Sequence, residues 1–474
     1  MKKIIIAFIG AALLAAGADA KSYKRGVSED KFSIRNQMSP LEPGVSWYYS
    51  WRSTPGAGYQ NEVIDFDGYD FVPMVWNGNY DAQAILEYAA SHPGCKYLLG
   101  FNEPNFTNQA NMTPQAAAEQ WPAVVDLARE AGLALVAPAM NYSPNEPYQS
   151  PTKWFDEFVE LVGTDAFDYV AIHNYGGLGG MQTLAEQFHE RYGKDVWVTE
   201  FCYWPDEGNP YCHVAPATQI ASMVETVEWL EKTPWIYRYA WFKATGAHDS
   251  NPSANYGLII SENGLGEKQL SPQGLVYVNM SEFDPEVWHA EGEEIPATEY
   301  IDRTLASIAP GAREDAPKPI EISAFSSGAT LDYQLDVPVD DDYVVTLTVS
   351  GVGEPVRFDP CLRIDLVEGD EATTLCPATS FTLPGSDSEY VTRKFNVHLP
   401  AGHCTLRLAD AAPYSPSGIR ISSLRFASAA GIAGVMAEET PTDDTLYNLH
   451  GIAVDKASAA PGIYVRQGRK VIVK

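Results

Sequence analysis

Two glutamates in this sequence stand where a pair of carboxylates could work together. Tyr97-Leu-Leu-Gly-Phe101, an apolar run typical of a buried strand, passes directly into Asn102-Glu103-Pro104-Asn105. Trp197-Val-Thr199 passes in the same way into Glu200-Phe201-Cys202. A single glutamate at a strand end is ordinarily a solvated loop acid, and Asn-Glu-Pro alone is a weak pattern. Two of them, each after a buried run and separated by two further strands, imply carboxylates aimed into one mouth. Hydrolysis of a glycosidic bond needs such a pair. One carboxyl, its pKa raised by burial and by its neighbour's charge, protonates the leaving oxygen, and the other attacks the anomeric carbon. Asn102, beside the first, can bond a sugar 2-hydroxyl, and Pro104 ends the strand and fixes the turn that aims Glu103.

Aromatic residues gather at the same strand ends. Trp47, Tyr48, Tyr49 and Trp51 follow the first apolar run, Trp76 the next, and Tyr175 closes His173-Asn174-Tyr175. Trp204 lies in a later loop and Trp241 near the end of the last run. Sugar rings stack their C–H faces on such platforms. The expected substrate contacts are therefore Trp47, Tyr48, Trp51, Trp76, Tyr175, Trp204 and Trp241, together with the polar Asn77, Asn102, Asn141 and His173. The competing reading of any one aromatic is a packed core residue. For the asparagines it is a loop tie, and for His173 a buried polar network.

These residues need a scaffold that brings distant strand ends together. Seven apolar runs begin at Val45, Phe71, Lys96, Leu133, Tyr169, Val196 and Tyr237, and they alternate with helix-like segments. Thr113 to Ala131 opens with an N-cap and a first-turn proline. Pro216 to Glu231 places Ile220, Met223, Val224, Val227 and Leu230 at helical spacing. Repeated strand–helix units over residues 41–283 predict a (β/α)8 TIM barrel, with a weak eighth strand near Val63-Ile64-Asp65. An open doubly wound sheet would carry a glycine-rich turn after its first strand, and none is present.

After the barrel the period changes. Residues 284–316, rich in acid, proline and alanine, read as a linker. From 317 to 428 apolar residues alternate with polar ones, as in Tyr333, Leu335, Val337 and in Phe395, Val397, Leu399, which predicts an antiparallel β-sandwich. Residues 429–474 form a further linker and tail. At the other end Lys2, Lys3, the apolar stretch Ile4 to Ala16 and Ala18-Asp19-Ala20 read as a secretory signal peptide over 1–20, followed by an N-terminal extension over 21–40. An exported protein fits six cysteines, of which Cys202 and Cys212 bracket a loop that a disulfide would staple.

Composition narrows the partners. The 474 residues suit two to four domains of ~100–200 residues each. With 62 acidic against 32 basic residues the formal charge is -30, so nucleic acid and anionic membranes are poor partners and a neutral ligand is favoured. No HExxH or CxxC occurs, so neither a metal nor another cofactor is expected, and the chain is expected to act as a monomer.

Several of these pieces together resemble glycoside hydrolase family 128. They are Trp47-Tyr-Tyr-Ser-Trp51, Phe71-Val-Pro-Met-Val-Trp76, Leu98-Leu-Gly-Phe-Asn-Glu-Pro-Asn105, Ala171-Ile-His-Asn-Tyr175, Trp197-Val-Thr-Glu-Phe201 and Tyr239-Ala-Trp-Phe242. The resemblance covers residues 41–283 and implies a secreted, retaining endo-β-1,3-glucanase on a clan A barrel. It implies Glu103 as acid/base after the fourth strand and Glu200 as nucleophile at the seventh, with Asn102, His173, Tyr175 and Trp241 holding the sugar at the cleavage subsite. The sandwich resembles carbohydrate-binding modules through Leu399-Pro-Ala-Gly-His403. The tail resembles type IX secretion sorting tails, with a simple β-hairpin as the alternative. Other readings are a clan A hydrolase acting on β-1,4-glucan, xylan or mannan, and a non-catalytic glycan-binding protein.

Overall fold

Eight short parallel strands carry the site. They are β1 (Arg25–Ser28), β2 (Trp47–Tyr49), β3 (Asp70–Phe71), β4 (Tyr97–Leu99), β5 (Ala134–Met140), β6 (Tyr169–Asn174), β7 (Val196–Phe201) and β8 (Ile236–Phe242). Their order in the sheet is β3-β2-β1-β8-β7-β6-β5-β4. A parallel bridge from Met74, just past β3, to Leu99 in β4 joins the two sheet edges and closes the barrel. The computed structural model describes residues 21–30, 39–55, 70–205, 214–245, 256–260, 269–351, 356–411 and 419–429, with short strands at 446–447, 453–454, 462–466 and 469–473. The chain divides into one unit of residues up to 284 with 306–324, and a second of 285–305 with 325–474.

Helices α1 (Ala82–Ser91), α2 (Pro114–Ala131), α3 (Pro151–Val162), α4 (Gly177–Tyr192), α5 (Pro216–Lys232) and α6 (Pro272–Asn279) follow or connect the strands. Their ends are set locally. The Thr113 side chain accepts the Ala116 N–H at 3.1 Å, Pro114 occupies the first turn of α2, and Gly132 at φ 69° ends it in a left-handed cap. Inside the barrel, Trp47, Tyr49, Val72, Met74, Leu99, Val136, Ala139, Ala171, Trp197 and Ala240 form one buried cluster.

The eighth strand is not where the sequence pattern placed it. Arg25–Ser28, inside the expected extension over 21–40, pairs in parallel with both β2 and β8, so the barrel begins at 25 rather than 41. Val63-Ile64-Asp65 lies outside the described residues. β1 escapes a hydrophobic scan because only Val27 is apolar. Its Arg25 is buried as half of an ion pair with Glu231 at 2.9 Å, and Gly26 leaves room for the Trp47 ring, which a Cβ there would meet at 2.2 Å.

The second unit holds two mainly antiparallel sheets. One runs His289–Ala290, Thr330–Val337, Gly402–Asp410, Val356–Glu368, Glu371–Leu383, with Asp302–Thr304 beside Thr330–Val337. The other contains Ile419–Ser428, Asp341–Ser350 and Val391–Leu399, with Ile295–Pro296 beside Ile419–Ser428. Alternation places Tyr333, Leu335, Val337, Leu406, Leu408, Phe395 and Val397 in the core as expected. The 284–316 segment is more than a linker. Three of its short strands join the sandwich sheets, and Ser307–Pro310 pairs antiparallel with Ile320–Phe325. Strands of two to four residues interrupted by proline carry too little periodicity to be read in advance. In the tail, Gly462–Arg466 and Arg469–Val473 pair antiparallel within a four-stranded sheet that also holds Leu446–Tyr447 and Ala453–Val454. No helix among the described residues is long and apolar enough to cross a membrane. Residues 1–20, the expected signal peptide, lie outside the described residues.

Candidate active site

Glu103 and Glu200 reach one mouth because β4 and β7 end there. Gly100 lets β4 press against β5, since a Cβ would meet the Val136 carbonyl at 2.8 Å and the Trp121 ring at 2.9 Å. Two residues later the Asn102 N–H donates to the Trp76 carbonyl at 2.9 Å, and the Glu103 N–H donates to the Ala139 carbonyl at 3.0 Å. Glu103 itself takes φ 42°, and Trp51 across the mouth takes φ 55°. Non-glycine residues in the left-handed region cost of order 1–3 kcal/mol and concentrate at functional sites. Glu200 lies within β7, all of whose residues are buried. One oxygen of each carboxylate and a nitrogen of His173 lie within 4.8 Å of one another.

The two carboxylates have different surroundings. Glu200 Oε1 accepts from the Tyr49 hydroxyl at 3.0 Å and the Trp51 indole N–H at 2.8 Å. Its Oε2 accepts from the Tyr175 hydroxyl. Burial pushes both tyrosines' hydroxyls well above their ordinary range, so each stays protonated and donates. Glu103 Oε1 accepts from Asn141 Nδ2 at 3.2 Å and meets His173 Nδ1 at 2.9 Å. His173 Nδ1 is also 3.4 Å from Glu200 Oε2, so this nitrogen lies between two carboxylate oxygens, which suits an N–H donor there. Its Nε2 meets Thr199 Oγ1 at 3.0 Å, which sets the ring. Burial raises the Glu200 carboxyl above the ordinary carboxylate range. His173 opposes that push, Glu103's neighbouring charge adds to it, and the Tyr175 and Trp51 donors also oppose it.

The carboxylates open into a cleft of about 570 Å³ lined by Trp51, Trp76, Asn102, Phe106, Gln109, Asn141, Tyr175, Trp204 and Phe242 among others. Asn102 is 3% exposed; its amide N–H donates to Gln109 Oε1 at 3.2 Å, and its Oδ1 has no hydrogen-bond partner among the described residues. A buried acceptor left open in this way suits a hydroxyl donor. Glu103, His173 and Glu200 could by distance hold a cation. Both Glu200 oxygens, however, already accept neutral donors that a cation would have to displace.

Of the expected site residues, Trp51, Trp76, Asn102, Asn141, Tyr175 and Trp204 line this cleft with both glutamates. His173 bridges the glutamates from beneath, fully buried. Four residues do not belong to the mouth. Trp47 is fully buried and donates from its indole to the Lys24 carbonyl at 2.9 Å, near the start of β1. Tyr48 packs on Phe71, its ring centroid 5.2 Å away. Trp241 is fully buried against Phe201 and Tyr277, and its indole donates to the Tyr256 carbonyl at 2.7 Å. Asn77 accepts from the Asn79 N–H at 2.8 Å and so ties a turn.

The omissions follow from strand parity. Tyr49 sits two residues beyond Trp47 on the same barrel-facing side, and Phe242 one beyond Trp241 on the opposite side, so a one-residue choice of face exchanges core and cleft. Both were readable from alternation. Thr199, Phe106, Gln109 and Asp30 carried no signal. Cys202 is buried. Cys212 lies outside the described residues, and so does the pairing expected of them.

Comparisons with known proteins agree with the barrel's contents. Residues 26–277 match the family model described as glycosyl hydrolase catalytic core. No curated protein matches the chain. Among solved structures, a GH128 subgroup II endo-β-1,3-glucanase from Pseudomonas viridiflava is 35% identical, over 55% of this chain and 98% of that one, with a TM-score of 0.48. The subgroup II endo-β-1,3-glucanase from Sorangium cellulosum is 33% identical over 54% and 98%, with a TM-score of 0.45. A subgroup I endo-β-1,3-glucanase from Amycolatopsis mediterranei, solved with laminaritriose, is 27% identical over 50% and 92%, with a TM-score of 0.39. With more than half of its length matched by the family model, the chain belongs to the glycosyl hydrolase catalytic-core family.

Proposed function

We propose that the protein is an exported, retaining endo-β-1,3-glucanase with Glu103 as acid/base and Glu200 as nucleophile. The observation that carries the mechanism is the close approach of the two carboxylates, within 4.8 Å oxygen to oxygen, with different partners on each. A separation of about 5–5.5 Å leaves no room for a water between carboxylate and sugar and goes with retention. Glu200 accepts three hydrogen bonds from groups that remain protonated, an arrangement that favours its anion. Glu103 Oε1 is held by His173 and Asn141, and its Oε2 accepts nothing among the described residues, which leaves that oxygen for the substrate.

In the first step Glu200 attacks the anomeric carbon while Glu103 passes its proton to the leaving glycosidic oxygen. A covalent glycosyl ester and a free reducing-end fragment result. In the second step ionised Glu103 takes a proton from a water that attacks the same carbon, and the ester bond breaks to return Glu200 as carboxylate. His173 positions both oxygens, and Asn102 Oδ1 is open to a sugar hydroxyl. The choice of β-1,3-glucan and of internal cleavage rests on the relatives' activities and on the ordered motif set. Export rests on the signal-like pattern of residues 1–20, and a neutral glucan suits a chain of charge -30.

The test is product analysis on laminarin, curdlan, xylan and mannan. Release of a ladder of β-anomeric laminari-oligosaccharides is expected. Sugar from xylan or mannan but not from laminarin or curdlan would refute the substrate, glucose alone would refute internal cleavage, and α-anomeric first products would refute retention.

A further inference from the structure

A buried cation stands behind the Glu200 shell. β1 runs on into Glu29 and Asp30, and β8 runs on into Lys243. The Lys243 ammonium lies 2.6 Å from Asp30 Oδ1 and 3.4 Å from Glu29 Oε1. The Glu29 side chain is fully buried, and its Oε2 accepts from the Thr245 N–H at 2.6 Å and from the Thr245 hydroxyl. The Lys243 side chain is only 13% exposed. A lysine so enclosed is tolerated because two carboxylates face it. The same ammonium lies 5.8 Å from the centroid of the Trp51 ring, within cation–π range. That indole donates to Glu200 Oε1 at 2.8 Å, from a residue whose backbone is in the left-handed region.

Each link has a physical direction. A residue at φ 55° persists only when its surroundings hold it, and the ring is held by the ammonium together with edge contacts to Tyr49 and Phe242. A cation attracted to the ring face draws on the indole's electrons and strengthens the N–H as a donor. We propose that Lys243, anchored by Glu29 and Asp30, is a positioning residue that acts through Trp51 to aim the indole N–H at Glu200 and keep that carboxylate ionised. The inference rests on Glu200 being the nucleophile. The other groups facing Glu200 are Glu103 after β4, His173 and Tyr175 at the end of β6 and Tyr49 in β2, and none of them supplies a permanent positive charge. Asp30 lines the cleft with its charge matched to Lys243.

The test is the pH profile of kcat/KM on a laminari-oligosaccharide for the wild-type protein and Lys243→Met, Lys243→Gln and Lys243→Arg, with thermal unfolding recorded for each. Loss of the cation is expected to move the acidic limb upward by about half to one pH unit and to lower kcat/KM at the optimum by roughly tenfold, while arginine restores the limb. Two neutral variants are used so that a packing defect in one does not decide the result. An acidic limb unmoved in a folded neutral variant overturns the inference, as does an arginine variant that behaves like methionine. Wild-type protein inactive on the oligosaccharide, or a Glu200→Ala variant of undiminished rate, overturns the underlying reading instead.

Discussion

At the N-terminal ends of the barrel strands Arg25 donates to the Tyr239 hydroxyl, to Glu231, and to the carbonyls of Tyr277, Met280 and Ser281, while Lys24 donates to three carbonyls at the end of α5. Around them Tyr97, Tyr169, Trp197 and Tyr237 pack edge to face, and Arg238 lies over the Trp47, Tyr97 and Trp197 rings. At the C-terminal ends the same residue types appear, but the buried charges that open on the cleft are carboxylates with Lys243 behind them, two backbones are strained and Asn102 Oδ1 is left open. Aromatics and buried charges therefore do not mark a binding site by themselves. What separates the two ends is what the open groups meet: Arg238 Nε and Nη1 and the Trp197 indole N–H lack a hydrogen-bond partner among the described residues but lie among packed rings, whereas Asn102 Oδ1 belongs to a residue lining the cleft beside both carboxylates.

The difference can be broken or sharpened by substitution. Glu200→Ala at the mouth should lower kcat by at least about 10⁴-fold with an unfolding midpoint close to that of the wild type, and azide should restore turnover as an inverted glycosyl azide. A fall in stability of the same order as the fall in rate would erase the contrast. At the opposite end, Arg25→Met should cost roughly 3–5 kcal/mol in denaturant unfolding, because Glu231 is left buried without its partner. The kcat of the folded fraction should stay within about threefold of wild type, and a larger change would show that the two ends are coupled.

Tyr175→Phe should cost about 10²-fold in kcat, since one donor to the nucleophile is lost. It should also move the acidic limb of kcat/KM upward. The sign follows from the direction of the pKa: burial already raises Glu200 above the ordinary range, activity is lost as pH falls through that value, and Tyr175 is one of the groups holding it down. A downward shift would contradict the assignment. The smallest pair separates core from cleft. Trp241→Phe should cost about 1–3 kcal/mol of stability with KM unchanged, and Asn77→Ala should leave both rate and stability within about twofold and half a kcal/mol. A raised KM for either would return that residue to the substrate.

Much of this is legible in the sequence. The apolar runs at 96–101 and 196–199 placed Glu103 and Glu200 at strand ends, and helical spacing placed α2 and α5. The sandwich followed from its period of two. The failures concern tertiary placement. Trp47, Tyr48 and Trp241 are placed by position along a strand alone, yet Tyr48 and Trp241 are decided by parity at single-residue resolution, and Trp47, on the same face as Tyr49, by depth within the barrel. β1 was missed because a buried Arg25 reads as a surface residue until Glu231, 206 positions later, is beside it.

Sequence alone determined that two glutamates end buried strands of a repeated β/α pattern, because strand periodicity and the barrel's common strand direction are local properties repeated along the chain. Tertiary structure alone decided which oxygen of Glu200 meets Tyr49, Trp51 and Tyr175, that His173 bridges the pair, and that Lys243 stands behind Trp51. Those contacts join β1, β2, β4, β6, β7 and β8, and only closure of the barrel brings such separated segments within hydrogen-bonding distance.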